Sequence, residues 1–261
     1  MENKPKLTVV KIGGNVIDNF DALDSFLRDF ASLDGYKILV HGGGKIATKT
    51  AEGLGIKAVF HEGRRITDKP MLDVTLMTYA GLINKSIAAS LQALGNNAMG
   101  FSGADGNLIL SEKRKNSPVD FGFVGDVVNV NSQLLKVLLE EAIVPVFCAI
   151  THDGKGQLLN TNADTIASTI ASGCSNNFEV SLMYCFEKKG VLMDADNDDS
   201  VIKNLTFDYY TQLREQKIIH SGMLPKLENC FDAFSKGVKH IYIGNPDIIK
   251  PENTIYTLVT P

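Results

Sequence analysis

Runs of apolar residues at strand length alternate with longer stretches in which apolar positions recur every three or four residues, for most of the chain. That alternation predicts a mainly parallel sheet covered by helices on both faces. Strands are expected at Leu7–Ile12, Lys37–His41, Asn97–Phe101, Ile143–Ile150, Val180–Cys185 and His240–Ile243. Helices are expected at Asp21–Leu33, Lys45–Leu54, Pro70–Leu94, Asn131–Glu141, Ala163–Ser172, Phe207–Glu215 and Pro225–Ser235. In the longest of these, Leu72, Leu76, Tyr79, Ile83, Ile87 and Leu91 are spaced for one buried face. Gly53, Gly55 and Gly95 stand where helices should stop.

One segment breaks the alternation. Leu108–Ser111 and Val124–Val130 flank a polar tip, which predicts a hairpin laid over the sheet and placed to act as a lid. A polar stretch at Cys174–Asn177 marks a lobe boundary, giving lobes 1–177 and 178–261 within a single domain.

The chemistry concentrates at two glycine turns. Val40-His41-Gly42-Gly43-Gly44 closes one apolar strand and opens a helix, exposing backbone N–H groups at the positive end of the helix dipole. Lys11-Ile12-Gly13-Gly14-Asn15 repeats the design with a lysine at the strand's end. Two anion cradles at the same edge of one sheet suggest a reaction between two anions. The chain has neither a Walker A loop nor the G-x-G-x-x-G dinucleotide fingerprint, so phosphate would be held by another architecture.

Composition narrows the partners. With 261 residues, 44% hydrophobic, the chain can bury a large core, and a net charge of -4 without a basic stripe argues against nucleic acid. Lys113-Arg114-Lys115, the densest basic cluster, is expected at a solvated hairpin tip. No signal core or bilayer-length apolar stretch is seen, so a cytoplasmic location without membrane contact is expected. Cys148, Cys174, Cys185 and Cys230 form no C-x-x-C pair and read as buried free thiols, and the histidines, among them His41, His61 and His220, lack metal-ligand spacing.

With these pieces in view, the chain resembles the amino acid kinase family and, within it, the N-acetyl-L-glutamate kinases. The resemblance rests on the two glycine turns, Gly63-Arg64-Arg65-Ile66-Thr67, Gly122-Phe123-Val124-Gly125-Asp126-Val127, Asn160-Thr161-Asn162-Ala163-Asp164 and Gly222-Met223-Leu224-Pro225-Lys226, in that family's order. It implies an open eight-stranded sheet between helices, an amino-acid lobe followed by an ATP lobe, and phosphorylation of the side-chain carboxylate of an N-acylated glutamate in arginine synthesis. By resemblance, Lys11 contacts the transferring phosphoryl group, Lys226 neutralises the leaving side and Asp164 holds both lysines in register. Gly43 and Gly44 would serve the substrate carboxylate, Arg65 the α-carboxylate and Asn160 the acylated nitrogen. Gly13, Gly14 and Gly190, with both lysines, would serve the nucleotide, whose Mg²⁺ would be held by its phosphates rather than by protein ligands.

Bland readings stand beside these. A lysine ending a strand is commonly a surface residue, and Asp164 also suits the first turn of the helix that follows it. The sequence departs from the family pattern where relatives carry an aspartate turn; here the chain reads Cys185-Phe186-Glu187-Lys188-Lys189-Gly190-Val191, leaving the backbone of Gly190 and Val191 as nucleotide contacts. Only residues 1–6 precede the first expected strand, whereas arginine-inhibited relatives carry an extra N-terminal helix; an arginine-insensitive homodimer is therefore expected, with the Met71–Leu94 helix in its contact. N-succinyl-L-glutamate as substrate, or a non-catalytic sensor of acylated amino acid or nucleotide on the same fold, are the alternatives.

Overall fold

A computed structural model describes residues 4–115, 118–219, 223–250 and 254–261. The strands, in chain order, are β1 (Lys6–Ile12), β2 (Tyr36–His41), β3 (Val59–His61), β4 (Arg64–Ile66), β5 (Ala98–Phe101), β6 (Ile109–Lys113), β7 (Val124–Val130), β8 (Val144–Phe147), β9 (Ile150–His152), β10 (Leu158–Thr161), β11 (Glu179–Cys185), β12 (Asn204–Leu205), β13 (His240–Gly244) and β14 (Thr257–Val259).

Eight of them form one sheet in the order β12-β14-β13-β11-β1-β2-β8-β5, parallel except for the β13–β14 pair. Its centre is apolar on both faces: Val9, Val10 and Ile12 of β1, Ile38 and Leu39 of β2 and Leu182 of β11 are all buried. Such strands need cover on both sides. Helices Phe20–Ala31 and Asn84–Ala93 pack together on one side, and Ala163–Cys174 with Leu224–Ser235 on the other. The expected open α/β sheet is therefore present.

Three adjacent parallel strands end together. Ile12 of β1 pairs with His41 of β2 on one side and Cys185 of β11 on the other. From β1 the chain builds one half of the sheet, passing to β2, then to the edge strand β5 and back to β8 between them, and from β11 it continues to β13 on the other side. The crevice between β1 and β11 is thus a topological switch point, where open parallel sheets bind ligands.

Three expectations are corrected. Ile143–Ile150 is not one strand: β8 stays in the main sheet, while β9 leaves it after Cys148 and Ala149 to pair with β10. The β6–β7 hairpin is not a free flap, because it closes with β9 and β10 into a small four-stranded barrel. Arg114 is not simply solvated: its guanidinium grips Asp126 and lies 5.6 Å from the Phe121 ring.

The long helical stretch runs from Lys69 to Ala93 as expected, but Leu76–Ile83 is wound as a π-helix. The wider turn carries Tyr79 and Ile83 against the Gly43 bend. There φ is 143°, and a Cβ on residue 43 would stand 2.3 Å from Ile83 Cδ1, so only glycine fits. Gly55 and Gly95 follow helix ends at φ 71° and 79°, as expected of C-terminal stops.

Candidate active site

The crevice at the strand ends gathers charge. Lys11 is the next-to-last residue of strand β1, Asp164 sits in the first turn of helix Ala163–Cys174, and Lys226 in the first turn of helix Leu224–Ser235. Lys226 Nζ donates a hydrogen bond to Asp164 Oδ2 at 2.7 Å. Lys11 Nζ lies 2.7 Å from Oδ1 as an ion pair, off the direction of a hydrogen bond. All three side chains are largely buried. Asp164 is thus more than a helix-end acid, and Lys11 is not a surface lysine.

Burial alone would raise the Asp164 carboxyl, but the two ammonium groups outweigh it and hold it below the usual carboxylate range. Burial and the neighbouring Lys226 push the Lys11 ammonium down, against the pull of Asp164. One carboxylate between two cations leaves a net positive pocket, suited to an incoming polyanion.

The first turn of this helix is fixed locally. Asn162 caps it, its Oδ1 accepting from the N–H groups of Asp164 and Thr165. The Tyr184 hydroxyl donates to the main-chain oxygen of Asp164 at 3.1 Å.

The glycine turns differ in what they offer. Gly13 donates its N–H to the Cys185 carbonyl at 3.1 Å, so it ties β1 to β11 rather than presenting that group to a ligand. Gly14 heads the short helix Gly14–Ile17, and Gly44 heads helix Gly44–Gly53, where first-turn N–H groups have no partner within the helix.

Arg65, on β4, reaches back to the second turn. Its Nη2 donates to the Gly44 carbonyl and to Thr48 Oγ1, both at 2.8 Å, and its guanidinium lies 4.7 Å from the Phe60 ring. The β3–β4 hairpin is thereby locked to the glycine bend. Asn160, on β10, donates from Nδ2 to Thr67 Oγ1 at 3.0 Å, and Thr67 forms a bridge with Gly122. A Cβ on Gly122 would meet the Thr67 carbonyl oxygen at 2.2 Å, which explains glycine there.

His41 is fully buried. Its Nδ1 lies 2.8 Å from the Gly42 carbonyl and its Nε2 3.1 Å from Asn84 Nδ2, so its place is structural, joining β2 to the long helix. Burial pushes it down to about 4.

Farther along, Gly190 lines an apolar pocket with Phe186, Val191, Ile218, Ile219 and Met223. The backbone contacts expected of this loop are partly used by the protein. Val191 donates its N–H to Thr257 Oγ1 at 2.8 Å, and a Cβ on Gly190 would meet Thr257 Oγ1 and Val201 Cγ1 at 2.6 Å. Ser221 and Gly222 lie outside the described residues.

Sequence reasoning missed Thr48 and Tyr184, and gave Thr67 no role beyond its motif. Thr48 stands one helical turn after Gly44, on the face that Arg65 approaches, and that spacing was the available signal. All four cysteines are free and buried, as expected. Burial pushes the Cys148, Cys174 and Cys185 thiols up to about 12.

A parallel sheet whose strand ends set two ammonium groups on one carboxylate, beside two glycine turns, defines an α/β protein of the anion-handling class. The chain belongs to the amino acid kinase family, whose profile matches residues 6–245. It is 52% identical to the acetylglutamate kinase of Parabacteroides distasonis over 238 residues, 91% of this chain and 93% of the relative. It is 53% identical to that of Cytophaga hutchinsonii over 240 residues, 91% and 90% of the two chains. Among solved structures, N-acetylglutamate synthase from Neisseria gonorrhoeae superposes with a TM-score of 0.83 at 17% identity, over 99% of this chain and 60% of that one, a likeness of fold alone.

Proposed function

We propose that the protein transfers the γ-phosphoryl group of ATP to the side-chain carboxylate of N-acetyl-L-glutamate, a step of arginine biosynthesis. The observation that carries this reading is the Asp164 carboxylate held between Lys11 and Lys226, each at 2.7 Å. Close relatives of nearly equal length that are acetylglutamate kinases support the choice of substrate.

The reaction sets the demands. A substrate carboxylate oxygen attacks the γ-phosphorus while the bond from that phosphorus to the bridging oxygen of ADP breaks, giving an acyl phosphate and ADP. The nucleophile is ionised at neutral pH, so no general base is needed. What is needed is positive charge on both sides of the transferring group. Lys11 serves the transferring oxygens and the attacking side, Lys226 the leaving side. Asp164 keeps the two ammonium groups from separating before the phosphate arrives.

Gly43 and Gly44 serve the side-chain carboxylate through the head of their helix. Arg65 presents its fork to the α-carboxylate, and Asn160 its amide to the acylated nitrogen. Gly14 serves the nucleotide phosphates; Gly13 acts by shaping that turn, and Gly190 by lining the apolar pocket, which suits the base. Residues 1–177 then form the amino-acid lobe and 178–261 the nucleotide lobe.

Mg²⁺ enters with ATP. Both oxygens of Asp164 face ammonium groups, so the ion would be held by phosphate oxygens and would neutralise charge there. Among the described residues no helix is long and apolar enough to cross a membrane. Buried thiols suit a cytoplasmic setting. Assembly as a homodimer goes with the exposed Met77 and Leu82 on the long helix.

The test is ADP release with Mg-ATP and N-acetyl-L-glutamate, N-succinyl-L-glutamate or free L-glutamate, with hydroxylamine trapping of the acyl phosphate. Turnover with the N-acetyl substrate and none with free glutamate is expected. Turnover confined to the succinyl substrate would keep the reaction and change the acyl group. No turnover with any of them would overturn the reading.

A further inference from the structure

Tyr184 stands opposite Lys11 in the parallel pairing of β11 with β1. Residues in register share a sheet face, so both side chains rise into the same crevice. Tyr184 is 1% exposed, and the Lys226 ammonium lies 4.8 Å from the centre of its ring. Phe186 adds a second ring at 5.9 Å. The Tyr184 hydroxyl meanwhile holds the main-chain oxygen of Asp164. One side chain therefore touches two of the three charged residues and neighbours the third.

Lys226 needs such a seat. It sits in the first turn of a helix, where the aligned peptide dipoles disfavour a cation, and it shares Asp164 with a second ammonium. Another carboxylate would hold it but would also repel the incoming phosphates. The face of an aromatic ring attracts a cation through its quadrupole and carries no net charge. It can steady Lys226 without weakening the positive field that phosphate requires.

We infer that Tyr184 is a positioning residue for phosphoryl transfer, its ring seating Lys226 beside Asp164. The inference rests on the phosphotransfer reading above. Tyr184 touches neither substrate in this assignment; it acts through Lys226, so its loss should appear in kcat rather than in the KM for the acylated amino acid.

The experiment places phenylalanine at 184 (Y184F), then phenylalanines bearing one, two and three fluorines, in the full-length protein. Ring volume stays nearly constant while the negative face weakens. Steady-state kinetics is measured beside the wild type and beside Y184L. Y184F should retain most of the activity. Across the fluorinated series kcat should fall stepwise by about tenfold in all, with the KM for N-acetyl-L-glutamate unchanged. Y184L should lose at least as much.

A series with constant kcat alongside an active wild type would overturn the inference alone, leaving Tyr184 as packing. A wild type without turnover would remove the phosphotransfer reading and this inference with it.

Discussion

Lys226 Nζ lies 2.7 Å from Asp164 Oδ2, joining side chains 62 positions apart and linking the first turns of two packed helices. Because Lys11 occupies the other oxygen, the carboxylate restrains two cations that would otherwise repel each other across the crevice. In D164N the lysines lose their common partner. Removing one member of a buried charge group costs about 3 kcal/mol, which urea unfolding at pH 7 should register. Turnover should fall by about 10² to 10³, the usual loss when a preorganised electrostatic group is removed. K226A should lower kcat comparably while leaving the KM for the acylated amino acid near its wild-type value, since that lysine is assigned to the leaving side.

His41 makes stability depend on pH in mildly acid solution. Its ring is pushed by burial from 6.5 to about 4 in the folded protein, so between those values the unfolded chain binds more protons. Stability therefore rises with pH through this window, being fully present above 6.5 and lost as pH falls toward 4. The loss should reach about 2 kcal/mol by pH 5. Urea midpoints at pH 7 and pH 5 should separate in the wild type and draw together in H41N, which keeps a polar group near Asn84 but does not titrate. Equal separation in both proteins would place the proton uptake elsewhere. Carboxylates, Asp164 included, contribute chiefly below about pH 4 and do not confuse the comparison.

How much of this was written legibly in the sequence differs by scale. β1, β2 and β11 could be read because each is a long apolar run buried on both faces, and the glycine turns because few other residues make such bends. The short strands β3, β4, β9, β10 and β12 could not. Strands of two to four residues carry too little pattern to reveal a period, and their pairing is decided by tertiary contacts. The split after Phe147 has the same cause: the apolar run continues through Ile150 because one half is buried in the main sheet and the other in the barrel. The residues of the charged trio could be singled out, but not their mutual distances. Tyr184 was unreadable, since an aromatic in a strand is ordinarily core, and only register with Lys11 gives it another meaning.

Arg65 tests whether the second glycine turn and the substrate's α-carboxylate share one anchor. Its Nη2 already serves Gly44 and Thr48 and its Nη1 donates to Met71 Sδ at 3.5 Å, so a carboxylate would use the remaining N–H groups of the fork. In R65K a single ammonium cannot satisfy both tasks in one plane. The KM for N-acetyl-L-glutamate should rise by about ten- to a hundredfold, with kcat and the KM for ATP changed much less. A change confined to kcat would move Arg65 from substrate binding to the reacting centre.

The outer face of the long helix bears on assembly. Met77 is 54% and Leu82 60% exposed, five residues apart within the π-wound segment, where positions separated by five fall on nearly the same side. Large apolar side chains gathered on one exposed helical face are a feature of contacts between protein copies. Light scattering should give twice the mass of one chain, and L82D should shift it to the mass of one. Because Leu82 points away from the core, the far-ultraviolet dichroism of L82D should match the wild type. A wild type that already scatters as a single chain would refute the homodimer. A mass unchanged in L82D would move the contact to another surface.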